Sequence, residues 1–156
     1  MAEPEGPTRA QADAAARGIS ITVRQRPPAK SIEEAAALQG ITTADIAKTI
    51  VMRAGTGKYL FAIVPGNRSV SFPALRGLLG VSKLKFPDAG EVLEAVGYER
   101  GTITPLGSKH PYPAYVDESL SGRTISMGSG THGFSILVAV DDLVRGLDAT
   151  VAAIAS

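Results

Sequence analysis

Two β-rich runs, residues 47–53 (AKTIVMR) and 59–64 (YLFAIV), are separated only by a short stretch that contains Gly55-Thr56-Gly57. A parallel pair needs a crossover of a dozen or more residues, so a connection this short implies antiparallel pairing across a hairpin turn. Whatever else the chain forms, it contains that hairpin.

The other elements follow from local punctuation. The Ala-rich stretch 9–17 has strong helix propensity and ends before Gly18, after which residues 20–24 alternate like a strand. Residues 25–30, with Pro27 and Pro28, form a connector. Ser31 followed by Glu34 is a capping box that opens a helix through Leu38, with Gly40 to close it. A second helix is expected from Ser71 or Phe72 to Leu79, with Pro73 in its first turn and Gly80 after its end. Residues 81–86 read as a short strand, and 90–96 as a helix stopped by Gly97. Three Pro and two Gly make 101–113 a long shaped loop. Strands are expected at 115–117, 124–127 and 134–140, followed by a short helix to Leu147 capped by Asp141 or Asp142. Strands outnumber long helices and tight turns join neighbouring runs. The expectation is an α/β protein of the α+β type, with a mixed, largely antiparallel sheet and packed helices. Residues 1–8 bury almost nothing and read as a disordered leader, leaving 9–156 as one domain of ordinary size.

Several classes of function fall away. With 16 Lys and Arg against 15 Asp and Glu, the net charge of +1 gives no global field for nucleic acid, and the cations Arg24, Arg26, Lys30, Lys83, Lys85 and Lys109 are dispersed along the chain. The absence of cysteine removes a disulfide scaffold, a thiolate nucleophile and any Cys-based metal site, and fits a cytoplasmic location. Apolar runs such as residues 136–140 are far below the roughly 20 residues of a membrane helix, and the first ten residues have no apolar signal region.

Three motifs fail on context. Residues 128–133, GSGTHG, match GxGxxG but lead into the strand FSILVAV rather than a helix, so no pyrophosphate would face a helix N-terminus. Gly55-Thr56-Gly57-Lys58 lacks the first glycine of a phosphate loop and carries Tyr59 where a Mg²⁺-binding hydroxyl belongs. Met127 occupies the place of the first glycine of GxSxG, so Ser129 is no acyl-enzyme nucleophile. His110 and His132 have no metal-ligand spacing. Lys48 is the most informative single residue, because strand alternation sets it on the face of Ile50 and Met52. It either snorkels to water from the start of the strand or anchors an anion at the mouth of a cavity.

Lys48 gains meaning with two later segments. The Lys48-Thr49 pair on an early strand, the loop Gly101-Thr102-Ile103-Thr104-Pro105-Leu106-Gly107 and the turn 128–133 resemble, in order and spacing, the YbaK and prolyl-tRNA synthetase-associated editing domains. The resemblance runs from about Gly18 to Leu147. It implies that family's partly barrel-like fold, no cofactor and no metal. It also implies hydrolysis, in trans, of a small non-cognate amino acid wrongly esterified to a tRNA, usually tRNA for proline. The partners implied are the aminoacyl-tRNA acceptor end and prolyl-tRNA synthetase.

By resemblance Lys48, Gly101 and Thr102 are the catalytic group. Thr49, Ile103, Thr104, Pro105, Gly107, Gly128, Ser129, Gly130 and His132 are the substrate-binding set. An activated ester beside a ribose hydroxyl needs no Ser or Cys nucleophile if its carbonyl is held and the developing charge stabilised. Gly101 and Pro105 would make a rigid wall that sieves by size, with Gly101 tolerant of a larger side chain if its φ is negative. Ser135 stands where members that prefer cysteine carry Asp, Thr131 and His132 replace basic residues, and residues 24–28 lack an aromatic. The competing expectation is a non-catalytic module that binds aminoacyl-tRNA or a synthetase.

Overall fold

The computed structural model describes residues 8–156. The expected leader lies outside the described residues except for Thr8, which already belongs to the first helix. In chain order the elements are α1 (Thr8–Ala16), β1 (Ile21–Gln25), α2 (Ile32–Gln39), β2 (Ala47–Arg53), β3 (Tyr59–Pro65), α3 (Phe72–Leu79), α4 (Ala89–Val96), β4 (Ala114–Asp117), β5 (Thr124–Gly128), β6 (Phe134–Ala139), α5 (Val140–Leu147) and β7 (Thr150–Ala152).

The expected hairpin is present, with β2 and β3 antiparallel from Ala47↔Pro65 to Arg53↔Tyr59. It begins a four-stranded sheet of order β2-β3-β4-β7, in which β4 runs parallel to both β3 and β7. A three-stranded antiparallel sheet has the order β1-β6-β5. One parallel bridge, Ile46↔Ser126, joins the two where the start of β2 meets β5. The fold is mixed α+β as expected, although the sheets do not close into a barrel.

β3 is covered on both faces. Leu60, Ala62 and Val64 pack with Leu75 of α3, Phe61 packs with Val92 and Val96 of α4, and Ile63 packs with Ile125 and Ile136 of the other sheet. Strand alternation thus sends one strand into three apolar clusters, which hold the two sheets and α4 in one arrangement.

Local signals set most helix ends. The Ser31 Oγ accepts from the Glu34 amide at 3.0 Å, and Gly40, Gly80 and Gly97 end their helices in the left-handed conformation. Two expectations need correction. Residues 81–86 form no strand: only Lys85 bridges Arg53, through amide bonds of 2.9 and 3.1 Å, while Leu84 turns into the α3 core. Val140 opens α5 instead of ending β6. The cap position falls to Ala139, and the Asp141 carboxylate instead accepts from the Gly122 amide at 3.1 Å.

The C-terminal segment is held by a buried carboxylate. Asp117 Oδ1 accepts from the amides of Ile154 and Ala155, each at 2.9 Å, and Oδ2 accepts from the amide and hydroxyl of Ser119. The Arg68 guanidinium lies 3.5 Å away. Burial by itself would raise the Asp117 pKa, but the hydrogen bonds outweigh it and hold the carboxyl below the usual carboxylate range. A depressed pKa contributes stability that is complete above the unfolded value and lost as pH falls through the folded one. Asp117→Ala should therefore lower the unfolding free energy by about 3 kcal/mol at neutral pH. Urea titrations of both proteins should show that gap narrowing below the ordinary carboxylate range, and an equal gap at pH 3 and pH 7 would contradict a role for the charge.

Candidate active site at the junction of the sheets

Where β2 meets β5 the fold leaves a cavity of about 270 Å³. β2 is the edge of its sheet and the cavity opens beside its start, so Lys48 and Thr49 both line it although their side chains alternate. Gly128 at the end of β5, its cross-strand partner Ser135 on β6, and Gly101 and Ile103 from the long loop supply further wall. Arg26, from the connector after β1, and Gln39 of α2 complete it.

Its electrostatics are one-sided. Arg26 and Lys48 both line the cavity, no carboxylate does, and neither cation makes an ion pair among the described residues. Two unpaired cations at one concavity favour an anionic ligand. Hydrogen bonding is also incomplete there. Thr49 Oγ1 and Ser135 Oγ are buried without any partner, although buried hydroxyls are ordinarily satisfied. The Gln39 amide oxygen, by contrast, accepts from Ser126 Oγ at 2.7 Å, which ties α2 to β5 across the cavity floor.

The loop is held from behind. Thr102 donates to Glu99 O through its amide (3.1 Å) and its hydroxyl (2.7 Å), and its carbonyl accepts from the Gly130 amide at 2.7 Å. The Tyr98 hydroxyl donates to Leu106 O at 2.7 Å, and burial raises that phenol above its ordinary pKa, so it remains a donor. α1 adds a clamp: Asp13 Oδ2 accepts from the Gly107 amide at 2.8 Å, and Arg9 donates to Gly107 O at 2.5 Å while lying 4.6 Å over the Tyr98 ring. Among the described residues the amides of Gly101 and Ile103 have no acceptor.

The expected site residues separate into two groups. Lys48, Thr49, Gly101, Ile103 and Gly128 line the cavity together. Thr102 and Thr104 are buried behind it, the latter accepting from the Leu106 amide at 3.3 Å. Pro105 and Gly107 face α1 beside Asp13 and Arg17. Ser129 Oγ is spent on Thr131 O and Phe134 O, Gly130 sits against the Tyr98 ring, and His132 is exposed and 3.1 Å from the Glu99 carboxylate. Among the described residues no three His, Asp or Glu side chains gather as a metal site would require. Arg26, Gln39, Ser126 and Ser135 were not expected in the wall. Gln39 and Ser126 are 87 residues apart, and no local pattern announces their pairing.

This combination of a mixed fold, a cationic cavity and a braced glycine loop matches a known class. The family model described as the aminoacyl-tRNA editing domain matches residues 26–145, a stretch that takes in every residue lining the cavity, and the chain belongs to that family. A proline–tRNA ligase of Bacillus licheniformis is 32% identical over 91 residues, covering 58% of this chain and 16% of the ligase. A candidate Cys-tRNA(Pro)/Cys-tRNA(Cys) deacylase of Enterococcus faecalis is 27% identical over 115 residues, covering 73% of this chain and 70% of the relative. The chain spans only about one sixth of the length of the proline–tRNA ligases it matches. A solved structure described as a candidate trans-editing enzyme for prolyl-tRNA synthetase superposes with TM-score 0.89 at 25% identity, over 99% of both chains.

Gly101 and Gly128 are required for different reasons. Gly101 has φ +86°, so the condition on which it would tolerate a larger side chain is not met, although a Cβ there would meet nothing within 4 Å. A Cβ on Gly128 would lie 2.3 Å from Ile103 O and 2.8 Å from Thr102 O, and backbone cannot yield as a side chain does. Each glycine replaced by Ala should cost about 1 to 3 kcal/mol, through strain at Gly101 and overpacking at Gly128. Hydrogen exchange tells them apart: the hydrogen-bonded amides of Thr102 and Gly130 should lose protection in Gly128→Ala and keep it in Gly101→Ala.

Proposed function

We propose that this chain is a trans-acting aminoacyl-tRNA deacylase that hydrolyses the ester of a small, wrongly attached amino acid, with tRNA for proline as the carrier. The cavity wall carries the reading: two unpaired cations, two orphan hydroxyls and the unpartnered amides of a braced loop surround a space of about 270 Å³. The likeness to ligases for proline supports the choice of carrier and of prolyl-tRNA synthetase as second partner.

In this reading the terminal ribose and phosphate approach Lys48 and Arg26, whose charges offset the acceptor end. The ester carbonyl lies toward Gly101 and Ile103. Water adds to the carbonyl carbon, and the oxyanion is stabilised by the loop amides. The bond to the ribose oxygen then breaks. That oxygen departs as a hydroxyl with a proton from the attacking water, leaving a free amino acid and a free 3′ end. Preorganised backbone donors suit this task because they need no reorganisation as charge develops. The orphan hydroxyls of Thr49 and Ser135 are placed to bond the ammonium or side chain of the amino acid, and the small volume excludes bulky ones. A module that bound without hydrolysis would use the cations and have no need of the free amides.

Incubation with tRNAs charged with Ala, Cys, Ser, Thr, Pro and Phe tests the reading directly. Esters of the small amino acids should be cleaved and Phe-tRNA spared; cleavage of Phe-tRNA at the same rate would remove the sieve. Lys48→Ala should lower turnover at least about 10²-fold, the scale of one lost electrostatic contact in a transition state, while circular dichroism stays that of the parent. Parental turnover in a folded Lys48→Ala protein would take the lysine out of the mechanism.

A further inference from the structure

We propose that a second groove, at the opposite end of β2 from the cavity, is an RNA-binding surface for the phosphate backbone behind the acceptor end. This rests on the deacylase reading for the identity of the RNA, but the surface is argued from its own residues.

The groove is lined by Arg53, Arg76, Lys83 and Lys85 and by no carboxylate. The chain as a whole is almost neutral, so this is a local concentration of charge that the fold creates from three separate segments. Its construction explains why the cations face outward. Lys85 is bridged to Arg53 by two amide hydrogen bonds, and Leu84 is buried against Leu75, so alternation turns Lys83 and Lys85 to solvent. Only Arg53 has a counter-ion, Glu91 at 2.6 Å; Arg76, Lys83 and Lys85 pair with no acid among the described residues. Beside Lys85, Phe86 is 52% exposed and meets Phe72 in a T-shaped contact at a centroid distance of 5.1 Å, which puts exposed aromatic surface next to the cations.

Spacing selects RNA over a single small anion. Thr49, in the cavity wall, and Arg53, in the groove, lie on the same face of β2 four positions apart, or about 13 Å at about 3.3 Å per residue. One small anion cannot span that length, whereas a nucleic-acid strand carries a phosphate at every nucleotide along it. An RNA whose 3′-terminal residue occupies the cavity can therefore lay the phosphates that precede it over the groove.

The test is binding of uncharged tRNA, read by fluorescence anisotropy over a range of salt. With two phosphate contacts removed, Lys83→Ala/Lys85→Ala should show a dependence of log affinity on log salt that is shallower by about 1.4 to 1.8, and Kd at physiological salt higher on the order of ten-fold. Lys83→Arg/Lys85→Arg should keep the parental slope, and Lys109→Ala, outside both sites, should bind as the parent does. An unchanged slope and Kd in the double alanine variant overturn the proposal. So does intact RNA affinity accompanied by lost binding to an acidic protein such as a synthetase. If no charged tRNA is hydrolysed by the parent, yet the double variant still loses RNA affinity, the deacylase reading fails and the surface stands.

Discussion

The antiparallel pairing of β2 with β3 is the contact on which the site depends. Seven residue pairs align the strands, and β3 is buried on both faces by α3, α4 and the second sheet. β2 thereby becomes an edge strand whose start abuts β5 through the Ile46↔Ser126 bridge. An exposed edge ordinarily invites unwanted pairing. Here the edge is turned against a second sheet at one end only, and the space left beside it is the cavity. A slip of one residue in the hairpin register would send Lys48 and Thr49 to exchanged faces and dismantle the wall.

That wall is costly for the folded state. Two orphan buried hydroxyls, at about 1 to 3 kcal/mol for each unsatisfied group, and two cations lining one cavity without an acid all disfavour the folded state. Compensation lies elsewhere, in the three apolar clusters and in Asp117, whose carboxylate binds the C-terminal segment to β4. Features that a stable core would avoid, gathered at one concavity, are what a binding site looks like when its ligand is absent from the energy balance.

Much of this was legible in the chain. The β2–β3 turn, the Ser31 cap and the glycine stops at 40, 80 and 97 are decided by neighbours in sequence, and each appears where local chemistry puts it. The Lys48-Thr49 pair and Gly101, Ile103 and Gly128 reach the cavity because short motifs travel with the strands and loop that carry them. What failed depends on distant partners. Residues 81–86 have strand-like composition, yet only Lys85 finds a partner, because β2 offers that segment nothing beyond its last residue. The parallel pairing of β7 with β4 and the Gln39–Ser126 bond have no local signal at all. Cations read as dispersed along the chain converge only once Lys85 is bridged to Arg53.

The loop shows how the two kinds of information combine. Its Gly and Pro residues forecast a shaped segment, but its position is decided by α1, which precedes the stretch matched by the family model. Asp13 takes the Gly107 amide and Arg9 donates to the Gly107 carbonyl, so both polar groups of one residue are held from a single helix face by side chains four residues apart. The other end is held by Thr102, whose carbonyl receives the Gly130 amide and whose side chain caps Glu99 O. Gly101 and Ile103, on either side of Thr102, keep their amides uncommitted among the described residues. Donors aimed at a developing charge act best when they cannot relax toward the protein's own acceptors. A loop clamped by buried Thr102 at one end and by Asp13 and Arg9 at the other meets that condition without a single catalytic side chain of its own.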